Sequence, residues 1–107
     1  MKIAIPIETK QKSSVVSKKF ARSDFFAIVD KELKSYELIA NPYSDLSMGV
    51  GKKILNLLIE EHKINTLLAF ELGLKVQQMA TEANMQLIII SEKRQTLKQL
   101  LAHLEVE

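Results

Sequence analysis

Residues 66–90 read TLLAFELGLKVQQMATEANMQLIII, and this stretch decides the fold class. Thr66 to Phe70 is a short apolar run, the pattern of a strand buried on both faces, and the apolar run Leu87 to Ile90 reads as a further strand. Between them Leu72, Val76, Met79, Ala80 and Ala83 fall on one helical face, just after a turn at Glu71-Leu72-Gly73. A strand, a helix and a strand in succession form a crossover unit that lays the two strands parallel in one sheet.

Working outward, Val50, Ile54, Leu55, Leu57 and Leu58 recur at helical spacing after Gly49 and Gly51, and the pattern stops at Glu61-His62-Lys63. Residues 2–8 are apolar and β-branched, so they read as a first strand, with Pro6 placed where its missing N–H is not needed. Phe25 to Val29 and Ser35 to Ile39 read as a hairpin around Lys31 to Lys34, and Asn41-Pro42 marks the exit from the sheet. Leu97, Leu100, Leu101 and Leu104 supply the stripe of a closing helix. The order βββαβαβα with right-handed crossovers predicts an α/β fold. Its mixed five-stranded sheet has order 3-2-1-4-5, and the second strand alone runs antiparallel. A chain of 107 residues suits one domain over residues 1–107.

With 47% hydrophobic and 26% charged residues the composition is that of a folded globular chain. No apolar run is long enough to span a bilayer, and Glu8 interrupts the start too early for a signal-peptide core, so a cytoplasmic location is expected. The absence of cysteine removes disulfides, thiolate nucleophiles and the usual ligands of zinc and iron–sulfur clusters. Six of the Lys and Arg residues (Lys2, Lys10, Lys12, Lys18, Lys19, Arg22) stand in residues 1–22 against Glu8 alone. Such a concentration favours an anionic partner, a small molecule in preference to nucleic acid.

In sheets of this kind ligands collect beyond the carboxyl ends of the parallel strands, where connections diverge. That point lies between the first and fourth strands, where the basic loop after Glu8, the entry to the first helix and the turn at Gly73 should meet. Gly49 and Gly51 precede a helix N-terminus, whose free N–H groups suit an anion, although glycines there serve loop-to-helix packing equally well. The spacing is not that of a phosphate-binding Walker loop, because Leu46 and Lys53 occupy positions that motif reserves for Gly and Ser/Thr. His62 and His103 fall at predicted helix ends, where a cation is favourable, and not near this point. Paired carboxylates at Glu8 and Glu71, completed by Asp24 and Asp45, are the enzyme alternative: a divalent-metal nuclease. A purely structural interaction domain is the third reading.

The opening Met1-Lys2-Ile3-Ala4-Ile5-Pro6, the segment Ser17 to Asp30, Asn41-Pro42, Gly49-Val50-Gly51 and Leu72-Gly73 follow one another in an order that resembles the dinitrogenase iron-molybdenum cofactor biosynthesis family across nearly the whole chain. The resemblance implies a ribonuclease H-like three-layer α/β/α fold of the strand order given above. It also implies a non-enzymatic protein that binds an iron-molybdenum cofactor or iron–sulfur precursor transiently and passes it to a protein partner. Carried over by position, the site comprises Lys19, Phe20, Arg22, Gly49, Gly51 and Gly73, with no catalytic residue and no resident metal. Two departures alter its chemistry. The family's histidine falls at Lys19, whose ammonium has no lone pair with which to ligate iron or molybdenum, and Ala21 replaces the following glycine. A cationic pocket remains, suited to an anionic cluster held by charge or to another anion.

Overall fold

The computed structural model describes residues 1–91 and 95–106. Its elements are β1 (Lys2–Ile7), β2 (Phe25–Asp30), β3 (Ser35–Ala40), α1 (Val50–His62), β4 (Thr66–Ala69), α2 (Leu74–Glu82), β5 (Gln86–Ile89) and α3 (Leu97–His103). The sheet has the order β3-β2-β1-β4-β5. β2 is antiparallel to both of its neighbours, while β1, β4 and β5 run parallel, as the pattern of crossovers predicts.

Strand alternation divides the core into two layers. Ala4, Phe26, Ile28, Leu67 and Ala69 face Ile54, Leu55 and Leu58 of α1 and Val76 and Ala80 of α2. Ile3, Ile5, Ile7, Ala27, Val29 and Leu68 face the other way, against Leu97, Leu100 and Leu101 of α3. Both faces of β1 and β4 are therefore covered, which is why these strands read as continuous apolar runs.

Several boundaries differ from the sequence reading by a residue or so: Glu8 lies past β1, Phe70 past β4, Ala83 past α2 and Leu104 past α3. Leu72 is buried but precedes α2, because Gly73 caps that helix in an extended conformation (φ −62°, ψ 154°). The first helical residue is instead Leu74, which is 75% exposed. Ile90 lies past β5, although its N–H still donates to the Ala69 carbonyl (2.9 Å).

Pro6 sits in the central strand and ends a ladder there. Pairing of β1 with β4 stops at Ala4 with Leu67, just where the next ladder N–H would have to come from Pro6. Asn65 N–H donates to the Lys2 carbonyl and Ser17 N–H to the Pro6 carbonyl (2.8 Å). Residues 2 and 6 present their carbonyls to the same edge of the strand, so residues 14–17 take the place beside β1 that β4 has left. Antiparallel bridges between Ile7 and Val16 and between Val15 and Thr96 stitch this wedge to β1 and to the start of α3. The buried Ser14 hydroxyl accepts from the Glu8 and Thr9 N–H groups and closes the loop behind it.

Candidate functional site

The wedge sends the chain out over the α1 and α2 side of the sheet, where Lys18 to Arg22 form one wall of a cleft of about 890 Å³. Residues 49–52 at the start of α1 and residues 71–76 at the start of α2 form the others. All three segments expected at the divergence of β1 and β4 thus line one cleft, and with them Lys19, Phe20, Arg22, Gly49, Gly51 and Gly73. The basic loop is divided, however. Lys10 and Lys12 line neither hollow described here, and the Lys12 ammonium lies 6.0 Å from the centre of the Tyr36 ring on the α3 side.

Short polar side chains shape the wall. Asn41, buried at the exit of β3, donates from its amide to the Ala21 and Ser23 carbonyls (both 2.8 Å) and accepts from Tyr43 N–H. The Ser23 hydroxyl reaches the Ile7 and Phe25 carbonyls (both 2.9 Å), and the Ser17 hydroxyl accepts from Lys19 N–H (3.2 Å). Phe20, 4% exposed, packs edge-to-face on Phe26 with ring centres 5.2 Å apart, so it anchors this wall in the core and adds the floor of the cleft.

The candidate residues hold their positions for different reasons. The Arg22 guanidinium donates to the carbonyls of Ser44 (3.2 Å), Leu46 (2.7 Å) and Ser47 (3.5 Å), which braces the loop leading into α1. Its charge is at the cleft, but its donors serve the fold. Gly49 has a left-handed backbone (φ +74°), a conformation costly for residues with a Cβ. At Gly51 a Cβ would come within 2.8 Å of Val76 Cγ2, so this glycine lets α1 and α2 close on each other. A Cβ at Gly73 would meet open space.

Charge is distributed unevenly. Five basic side chains line the cleft, Lys18, Lys19, Arg22, Lys52 and Lys75, against Glu71 and Glu82. Among the described residues none of the five lies within 4.0 Å of a carboxylate. Lys52 and Lys75, absent from the sequence-based site, stand in the first turns of α1 and α2, where the helix dipole makes a cation unfavourable. Neither helix has an acidic residue in its first turn or a side-chain cap. Lysine in the opening turn of two successive helices is the signal that could have found them.

A second hollow of about 660 Å³ adjoins the first and shares Lys18, Lys19 and Arg22 with it. It contains Glu8, Asp24 and Asp45, whereas Glu71 lines the larger cleft. The four carboxylates weighed as a nuclease centre are therefore divided between two hollows. Among the described residues no group of three or more His, Asp or Glu side chains is arranged to hold a metal ion. His62 ends α1 with its Nδ1 3.3 Å from Glu37, and His103 ends α3, both outside the two hollows. No helix among the described residues is long and apolar enough to cross a membrane.

The sheet order and the two-layer core define a three-layer α/β/α domain with a cleft at its helix entries. The chain belongs to the family described as dinitrogenase iron-molybdenum cofactor, whose profile matches residues 1–105. Among curated proteins no relative matches. The apo form of the orange protein from Desulfovibrio gigas is similar in structure, with a TM-score of 0.83 at 24% identity over 95% of this chain and 84% of that one. A putative NifB protein from Thermotoga is similar too, with a TM-score of 0.76 at 24% identity over 97% of this chain and 86% of that one. At these identities the likeness extends to the fold alone.

Proposed function

We propose that this chain is a single-domain, cytoplasmic, non-enzymatic binding protein that holds an anionic ligand in the cleft between Lys18–Arg22 and the starts of α1 and α2. The observation that carries this reading is the excess of basic side chains around two helix N-termini whose own N–H groups are uncapped. Unpaired N–H groups and the positive end of the dipole favour negative charge, and Lys52 and Lys75 intensify that field. Family membership favours a cargo related to the iron-molybdenum cofactor or an iron–sulfur precursor, handed to a protein partner.

The residues present fit holding by charge and do not fit ligation. The donors along the cleft are the carboxylates of Glu71 and Glu82, the amide of Gln78 and the thioether of Met79, with no imidazole or thiolate among them. Lys19, at the position of the family's histidine, contributes a cation. An anionic cluster would therefore be retained electrostatically, and another anion of similar size could take its place.

Reversing Lys18 and Lys19 together (Lys18→Glu, Lys19→Glu) tests the reading. Both side chains are exposed, so stability should change by no more than roughly 0–1 kcal/mol. Affinity for inorganic phosphate or for a synthetic iron–sulfur cluster added anaerobically should fall at least about tenfold, equivalent to about 1.4 kcal/mol. Raising ionic strength from about 0.01 to about 0.15 M, which shortens the screening length from about 30 to about 8 Å, should weaken binding to the native chain as well. Calorimetry giving equal affinities for native and reversed chains would overturn the proposal. Arg22 is left intact because its loss would release the loop at residues 44–47. Lys19→His supplies the missing imidazole and should increase affinity for the cluster over that for phosphate.

A further inference from the structure

We infer that the cleft is suited to the other kind of anion named above in place of a metal cluster: one with an apolar body, its negative charge confined to one end. This rests on the anion-binding reading and adds what the two hollows say about the rest of the molecule bound. One side of the larger cleft is apolar: Leu72, Leu74, Val76 and Met79, contributed by α2 and the turn before it. Leu74 is 75% exposed at the first position of α2; Met48, 81% exposed, precedes Gly49 outside the cleft lining. Large apolar side chains left open beside a cluster of lysines mark a surface that is covered in use. A hydrated oxyanion has nothing with which to cover them. A ligand with an aromatic or aliphatic body would lie along Leu74 and Met79 while its charged end met Lys18, Lys19 and Lys52.

The smaller hollow limits where that charge can go. It lies on the other side of Lys18 and Lys19 and presents Glu8, Asp24 and Asp45, all exposed and, among the described residues, none within 4.0 Å of a cation. A second negative group extending past the lysines would meet three carboxylates, and a group extending along the cleft would meet Glu71 and Glu82. The field therefore accepts one compact negative head and disfavours extended polyanions such as polyphosphate or nucleic acid. A cleft of about 890 Å³ is ample for such an amphiphile, since small-molecule sites span about 300–1,000 Å³.

The test uses 1-anilinonaphthalene-8-sulfonate, a fluorescent anion with one charged end and an apolar body, beside inorganic phosphate and linear polyphosphate at matched low ionic strength. The expected result is one-to-one binding of the sulfonate at least about tenfold tighter than either comparison anion, with amide shifts in nitrogen–proton spectra confined to residues 18–22, 48–52 and 71–79. Leu74→Ser, at an exposed position, should weaken the sulfonate about fivefold and leave phosphate unchanged. Met79→Gln should do the same. Leu33→Ser, at the equally exposed hairpin between β2 and β3, should change neither. Equal affinity for sulfonate and phosphate, indifference of the sulfonate to both cleft substitutions, or tighter binding of polyphosphate would each overturn this inference. Any of these could occur while Lys18→Glu with Lys19→Glu still abolished binding, in which case the anion site stands without an apolar ligand. Failure of that charge reversal to affect any anion would instead remove the site itself.

Discussion

The three helices begin in two different ways. At α3 every early N–H is satisfied by the chain: Leu97 donates to the Ser14 carbonyl (2.9 Å), Lys98 to the Lys12 carbonyl (3.0 Å) and Gln99 to the Thr96 hydroxyl (3.2 Å). The Gln99 side chain completes a capping box by accepting from Thr96 N–H (2.9 Å). At α1 and α2 the corresponding N–H groups of Val50, Gly51, Lys52, Leu74, Lys75 and Val76 have no acceptor among the described residues. Open N–H groups at a helix start are left to water or a ligand, so the contrast separates a start closed by the chain from two that remain available.

The largest effect that would sharpen this contrast comes from Gly51→Ala. The added methyl meets Val76 and should cost about 1–3 kcal/mol of stability in urea unfolding, as overpacking does elsewhere. Anion affinity should fall only as far as α1 and α2 separate. A neutral result would mean that the two helices tolerate a wider spacing and that Gly51 is there for a ligand after all. Thr96→Ala follows at about 0.5–2 kcal/mol, the usual cost of losing a cap, with phosphate affinity unchanged because α3 does not line the cleft. The smallest change in stability comes from giving α2 the cap it lacks. Gly73→Asp has an extended backbone and open space for its side chain, so it should stabilise the fold by a few tenths of a kcal/mol. The same substitution should weaken phosphate binding severalfold, by occupying the N–H groups and neutralising the field. A stabilised variant with native affinity would show that the start of α2 does not serve the ligand.

The fold is legible from the sequence because the central strands, buried on both faces, the alternating edge strand β3 and the helices with one apolar stripe carry different periodicities. Leu72 and Leu74 are the exception: spacing alone places Leu72 on the helix, whereas the extended backbone of Gly73 starts the helix after it. The candidate site is legible only in outline. Charge counting groups Lys12 with Lys18 and Lys19, but the wedge separates them: Lys12 lies by Tyr36 on the α3 side, whereas Lys18 and Lys19 line the cleft on the other face. Val15 and Val16, a β-branched pair inside a polar loop, are the trace of that wedge in the sequence. Asn41, Ser14 and Ser23 read as ordinary loop residues, since their work as buried donors and acceptors depends on neighbours distant in the chain.

The wedge also couples the two faces of the molecule. Val16 N–H donates to the Gln95 carbonyl, and Val15 bridges Thr96, so the segment leading into Lys18 and Lys19 is secured by residues near the far end of the chain. Contacts between such distant positions form late, after most loop-closure entropy has been lost. The basic wall of the cleft thus shares its supports with the start of α3 on the opposite face. If an anion binds among Lys18, Lys52 and Lys75, amide exchange at Leu97 and Lys98 on the other side of the sheet should slow, and loosening α3 at Leu101 should weaken binding at a site it never touches.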